Sequence, residues 1–486
     1  MRQLDPWDAA FLYQETRTTP MHICSVSHFA PGPDGQRLTL DDVRSAVARR
    51  LLALPPFRHR IVRSPFGLPR PHWAHDRDLN VDDHLHEVRL PPPGDSAQLA
   101  EQVALIAARP LDLSRPPWEI HLISGLDGDR AALVTKFHHA MVDGGAAGEV
   151  MTTLLDPAPD SPQVPIPDLP RPGPAPRAGE MLLRGLADAA SYPLHMMHSQ
   201  QQMMRRLPHM TGLARAPGQE TRHLTSGLPG SIRPRDWQPS MFGAPPTPFN
   251  GRVTQNRSWA FGQVPLDRVK AIKNAFGGTV NDVVMCVCAA ALRRWLLDRR
   301  ALPSAPLVTL VPVSLRSDEE SGKFGNRVSM MRSALPTTVA DPAERLKAAS
   351  AAADAAKDMH SAMGGDFMAH ALRFVLPMMA APMFRLAAEM PVPHPPRYPA
   401  NLYISNVAGP SRPLYLAGKQ MLTFYPAAFL PMTMGLNMVV LSYSGSLDFG
   451  LMACPDLVPD VWSLMDYVVE AIDELTEAAQ GVSIAS

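Results

Sequence analysis

Residues 131–155 read AALVTKFHHAMVDGGAAGEVMTTLL. Ala131 to Phe137 is rich in β-branched and aromatic residues, which suit a pleated strand. The segment from Gly144 onward has helical character, so the pair His138 and His139 falls at a strand end just ahead of a helix. Asp143 follows the second histidine at i+4, and Gly144 and Gly145 come next. Three readings are open: a catalytic base with its support, a pair of metal ligands, or two ordinary core histidines.

Similar steps between strand and helix occur on both sides of a proline-rich join. Proline makes up 52 of 486 residues, about twice ordinary usage, and nine of the twenty residues from Pro157 to Pro176 are proline. Such a segment lacks the donors a sheet or helix needs, so it reads as a linker. A helical pattern with a break at Pro193 follows, then a turn-rich run to Asn250. The expected organisation is an N-terminal domain at 1–155, a proline-rich linker with a helical segment at 156–250, and a C-terminal domain at 251–486. In the last, Thr279 and Asp282 have capping-box spacing ahead of an apolar helical run. Strands are expected at Leu307 to Val313 and Leu402 to Ser405, with a hairpin around Ser444 and Gly445. The predicted class is α/β, in the form of two α+β sandwiches.

Composition narrows the function. Lys+Arg 46 balances Asp+Glu 46, so net charge supplies no general attraction to nucleic acid or anionic lipid. The four cysteines Cys24, Cys286, Cys288 and Cys454 are too scattered for a disulfide framework, which points to a reducing compartment and a cytoplasmic location. The Cys-x-Cys pair lies in an apolar helical pattern and reads as packing. Asp5 and Asp8 interrupt the N-terminus, so it does not read as a signal peptide. The uncharged stretch from Gln420 to Leu447 is long enough to span a bilayer, but Pro426, Pro431, Gly435 and Asn437 break it into buried strands.

A strand alternates its side chains, so adjacent histidines in extended chain face opposite sides and do not readily share one metal. A metal site would need further ligands, of which the motif offers only Asp143. General base catalysis needs one imidazole, with Asp143 free to orient the ring or anchor the loop.

On these residues, "HHAMVDG" matches the HHxxxDG signature of the coenzyme-A-dependent acyltransferase superfamily. The chain more closely resembles the bacterial bifunctional wax ester synthase/diacylglycerol acyltransferase family, through "LDPWDAAFLYQETRTTPMHI" from Leu4, "RPLDLSRPPWEIHLI" from Arg109, "NDVV" at Asn281, "VPVSLR" from Val311, Gly325-Asn326 and "ISNVAGP" from Ile404. Ala408 departs from the proline more usual in the last block.

The resemblance implies two chloramphenicol-acetyltransferase-like domains, with mixed sheets flanked by helices, meeting at a central channel. It implies His139 as general base, with His138 and Asp143 mainly architectural. The implied reaction carries a long-chain acyl group from acyl-CoA directly to diacylglycerol or a long-chain alcohol, with no cofactor or metal; the G-x-S-x-G of an acyl-enzyme mechanism is absent. Gly144, Asn281, Ser405 and Asn406 are the substrate-binding or oxyanion candidates, although Asn281 also suits a helix cap, and Ser405 and Asn406 suit a turn at a strand end. Asp282 is expected to be structural. The Met-rich segment Phe367 to Met390 is a candidate for contact with a membrane or lipid-droplet surface, against a buried, kinked helix. The alternatives are a superfamily acyltransferase acting on a polyketide, glycan or peptide, and a lipid-droplet-binding protein whose site has decayed.

Overall fold

The computed structural model describes residues 2–33, 35–63, 70–142, 144–162, 243–315, 328–363, 381–386 and 397–485, with a few positions between 165 and 190. Most of the linker expected at 156–250, the break at Pro193, and the Met-rich segment apart from 381–386 lie outside the described residues.

The first half runs β1 (Arg2–Gln3), α1 (Pro6–Gln14), β2 (His22–Phe29), α2 (Leu40–Arg50), β3 (His59–Val62), β4 (His72–His75), β5 (Leu85–Arg89), α3 (Ser96–Ala108), β6 (Trp118–Ser124), β7 (Ala131–His138) and α4 (Gly144–Leu154). The second runs β8 (Ser258–Pro265), α5 (Leu266–Phe276), α6 (Val280–Asp298), β9 (Leu307–Ser314), β10 (Val328–Leu335), α7 (Pro342–Met363), β11 (Leu402–Ala408), β12 (Tyr415–Leu416), β13 (Lys419–Gln420), β14 (Tyr425–Ala427), β15 (Leu436–Tyr443), β16 (Ser446–Ala453) and α8 (Val461–Ala485). The strand and helix read from residues 131–155 are therefore β7 and α4.

Two mixed sheets organise the chain, as expected. One has the order β14-β2-β7-β6-β5 and the other β10-β9-β11-β15-β16-β8. In the second sheet β11 runs parallel to both β9 and β15, while the outer pairs are antiparallel. Strand alternation gives that sheet two distinct faces. Leu402, Ile404, Met438, Val440, Phe449 and Leu451 pack with α6, α7 and α8 in one core. Leu441 and Tyr443 point the other way, into a core shared with α1, β6 and β7.

Local chemistry accounts for several boundaries. Thr279 caps α6 with a reciprocal bond to Asp282, the capping box expected from the sequence. The hairpin between β15 and β16 turns at Ser444 (φ 42°) and Gly445 (φ 89°), the left-handed pair that a two-residue turn requires. All four cysteines are free and buried. Among the described residues no single helix is long and apolar enough to cross a membrane. The bent pair of α5 and α6, at 100°, passes on length and composition, but most of α6 is packed into the core.

Strand β14 ties the halves together. It comes from the second half of the chain yet pairs antiparallel with β2, matching Tyr425 to Val26 and Ala427 to Cys24. Trp259 Nε1 donates to Pro426 O at 3.1 Å, and Phe424 N donates to Asp448 Oδ2 at 2.6 Å, so the strand is also held by the second sheet. A further bond runs from Arg257 Nη2 to Thr18 O at 2.6 Å.

His28 stands at the same joint, with Nδ1 2.8 Å from Thr423 Oγ1 and its ring edge-on to Tyr425. Burial, helped by the Arg130 charge, pushes its pKa down from 6.5 to about 4. Because the folded value lies below the unfolded one, this group's stabilisation is complete above pH 6.5 and is lost as pH falls toward 4. The shift corresponds to about 3 kcal/mol at most. Thermal midpoints measured from pH 7.5 to 4 should decline along this limb, and His28→Gln should make the decline shallower. An unchanged slope in the variant would remove His28 as a source of acid lability.

Candidate active site

β7, the central strand of its sheet, carries the histidine pair at its C-terminal end. His138 N donates to Pro117 O at 2.9 Å, and His139 N donates to Met21 O at 2.8 Å, so the segments before β6 and before β2 clamp the pair from either side. Pro117 belongs to the quoted block from Arg109. The next residue, Trp118, is almost fully buried, stacks on His84 and donates Nε1 to Phe57 O at 3.0 Å.

The two imidazoles serve different surroundings. His138 is fully buried, and its Nδ1 accepts from Ala140 N at 3.0 Å. A backbone N–H only donates, so Nδ1 carries a lone pair and the ring proton belongs on Nε2. Nε2 stands 3.5 Å from Glu15 Oε2. Burial acts to raise the Glu15 pKa, but the interaction with His138 and a backbone bond from Met21 outweigh it, leaving the carboxyl below its usual value. His138 thus braces the turn that follows β7.

His139 occupies that turn and is half-buried. Its ring stacks on Phe11 of α1, with centroids 4.0 Å apart and planes at 17°, and meets Phe429 edge-on at 5.5 Å and 88°. Phe429 also lies 6.2 Å from Phe11 and 6.0 Å from Tyr403 of β11. Phe11 belongs to the first half of the chain; Phe429 and Tyr403 belong to the second. The His139 ring is therefore at the junction of the two halves, walled by aromatic faces. Burial raises the Tyr403 pKa to about 12, so this neighbour is a neutral phenol at physiological pH.

The other expected residues are more dispersed. Asp143 lies outside the described residues, and Gly144 is the first residue of α4. Asn281 is the second residue of α6; the cap role open to it in the sequence belongs to Thr279. Asp282 is buried and structural, accepting from Thr279 N at 2.9 Å and facing Ser350 Oγ at 3.4 Å. Ser405 and Asn406 are not in a turn. They lie inside β11, which continues to Ala408 because it pairs in parallel with β15, matching Ser405 to Val439 and Asn406 to Val440. Alternation puts Ser405 on the face of Tyr403, toward the aromatic wall around His139, and Asn406 on the face of Ile404, toward the helix-side core.

Sequence reasoning singled out neither Phe11, Glu15 nor Phe429. Trp7 and Phe11 are four residues apart, a spacing that sets them along one side of α1, and Glu15 is the residue that ends that helix, so a helical reading of the N-terminal block contains a signal for Phe11. Phe429 has no such pattern around it.

Comparison with known proteins shows the family. The model of the wax ester synthase/diacylglycerol acyltransferase catalytic domain matches residues 4–284, and that of the WS/DGAT C-terminal domain matches residues 324–476. The chain belongs to the WS/DGAT family. A Mycobacterium tuberculosis relative named as a diacylglycerol O-acyltransferase is 35% identical over 485 residues, covering 99% of this chain and 91% of the relative. Another from the same organism, with the same kind of name, is 34% identical over 486 residues, covering 97% and 98%. The solved wax ester synthase/diacylglycerol acyltransferase of Marinobacter aquaeolei VT8 superposes with a TM-score of 0.67 at 28% identity, over 98% of this chain and 100% of that one. The first condensation domain of the calcium-dependent antibiotic synthetase gives 0.55 at 17% identity, over 98% and 97%, which shows a shared two-domain fold and nothing more specific. Within the WS/DGAT family, the HHxxxDG block of this chain is the segment from His138 to Gly144.

Proposed function

We propose that this WS/DGAT-family chain transfers a long-chain acyl group from acyl-CoA to the hydroxyl of a diacylglycerol or a long-chain alcohol, producing triacylglycerol or wax ester and free coenzyme A. His139 takes the hydroxyl proton as the oxygen attacks the thioester carbonyl. The C–S bond then breaks, and the departing thiolate receives a proton from the imidazolium. The observation that carries this reading is the His139 ring held between Phe11 and Phe429 where the halves meet. An apolar junction of this kind suits two greasy reactants, and a neutral imidazole is the side chain suited to accept an alcohol proton near pH 7.

In this scheme Asp143 orients the loop, and His138 supports the turn through Ala140 and Glu15. The developing oxyanion needs preorganised donors. Ser405, on the Tyr403 face of β11, suits that role better than Asn406 on the opposite face; Gly144 at the start of α4 and Asn281 at the start of α6 remain candidates through their positions near helix N-termini. No cofactor is required, since acyl-CoA brings its own activated thioester.

We also place the enzyme in the cytoplasm, touching membrane or droplet surfaces from which its lipid acceptor comes. Met383 and Leu386, in the helical piece at 381–386, are 50% and 60% exposed beside Arg385, a composition suited to a lipid boundary. One experiment covers both statements. Purified protein is incubated with palmitoyl-CoA and liposomes containing either dioleoylglycerol or hexadecanol, while thiol release, neutral-lipid product and flotation are followed. Product with at least one acceptor is expected, with part of the protein floating. Thiol release without an ester product would overturn the assignment, and product without flotation would remove the surface contact alone.

A further inference from the structure

Beside the C-terminal end of α3, strands β5 and β6 gather three side chains with metal-binding chemistry. The strands run parallel with His86 matched to His121, and Glu119 stands two residues before His121, on the same face of β6. The two imidazole centroids are 4.6 Å apart, and His121 Nε2 lies 3.1 Å from Glu119 Oε2. One ligand atom from each of the three residues lies within 4.8 Å of the others. We propose that His86, Glu119 and His121 form a binding site for a zinc-class divalent cation.

The spacing supports this directly. Zinc bonds of about 2.0–2.1 Å in a tetrahedron hold neighbouring ligand atoms about 3.3 Å apart. His121 Nε2 and Glu119 Oε2 already stand near that separation, and a cation inserted between them replaces the proton they share. His86 needs only a side-chain adjustment to supply the third ligand. All three residues are partly exposed at the β5 rim of the sheet, so the ion has a route in and water completes the tetrahedron. Two imidazoles and one carboxylate favour zinc over magnesium or calcium, which prefer oxygen ligands throughout.

Lys136 Nζ stands 3.3 Å from Glu119 Oε2, and its charge opposes the cation. Its shorter bond, 2.6 Å, goes to Arg109 O, the capping residue of α3, and survives when Glu119 turns to the metal. The site is therefore one of moderate affinity that pins the edge strand β5 to β6. It involves none of the residues assigned to acyl transfer, so acyltransferase activity should not depend on it.

The test uses the full-length, chelator-treated protein titrated with zinc chloride in a calorimeter, with thermal unfolding in parallel. Wild type should bind one equivalent more than His86→Ala, or bind at least about tenfold more tightly, and zinc should raise the unfolding midpoint of wild type and of the His59→Ala control but not of His86→Ala. His121→Asn should behave like His86→Ala. His59→Ala serves as the control, because His59 and His75 form another close pair with centroids 4.3 Å apart. Circular dichroism checks that the variants fold, and His86→Gln replaces His86→Ala if the latter does not. Identical zinc isotherms for wild type and the His86 variant, weakening confined to His59→Ala, or an equal response to magnesium chloride would each overturn the site.

Discussion

His139→Ala is expected to lower turnover by about a thousandfold, within the range that a positioned general base contributes. The measurement is thiol release from palmitoyl-CoA with dioleoylglycerol or hexadecanol as acceptor, at saturating substrate. The fold should survive. The backbone bond from His139 to Met21 O does not involve the side chain, and the loss of stacking on Phe11 costs only about 1 kcal/mol. His138→Ala should show the opposite balance. It removes the acceptor for Ala140 N and leaves the Glu15 carboxylate without its imidazole partner, a loss of about 2–3 kcal/mol that appears first in thermal unfolding. If His139→Ala kept more than about a tenth of wild-type turnover, the general-base assignment would fail.

Gly450→Ala should be strongly destabilising. A Cβ at this position would lie 1.7 Å from Pro426 O and 2.8 Å from Pro426 C, both main-chain atoms that no side-chain rotation can move aside. Gly450 sits within β16, paired with Val439 on one side and Phe261 on the other, so it cannot retreat without breaking ladder bonds. The relief available is displacement of β14, which would strain its pairing with β2 and the bond from Trp259 to Pro426 O. Overpacking of this kind costs about 3 kcal/mol or more. A clearly lowered thermal midpoint is expected, together with reduced turnover, because the segment after β14 carries Phe429 to the His139 ring. A wild-type midpoint in Gly450→Ala would mean that the joint yields more easily than this packing implies.

Much of the architecture was legible in residue patterns. The β-branched run before the histidines forms β7, the Thr279 and Asp282 pair caps α6, and the Ser444-Gly445 turn joins β15 to β16. Each of these depends on neighbours within one element or one turn, where periodicity and backbone preference act locally. Ser405 and Asn406 were harder. Serine and asparagine are common in turns, yet parallel pairing with β15 carries the strand through to Ala408. Register with a partner strand is a nonlocal property, and the residues of β11 alone do not encode it.

The candidate site divides along the same line. The place of the histidine pair after a strand, with an aspartate and two glycines close behind, could be read from the chain itself, whereas the choice of His139 as base came only from the family resemblance. That His138 turns inward onto Ala140 and Glu15, that Phe429 closes over His139, and that β14 enters the first sheet were settled only by tertiary packing. His28 and Thr423 meet across 395 positions of sequence. Contacts over such separations arise from burying apolar faces against whatever surface complements them, and they leave no periodic trace in either segment.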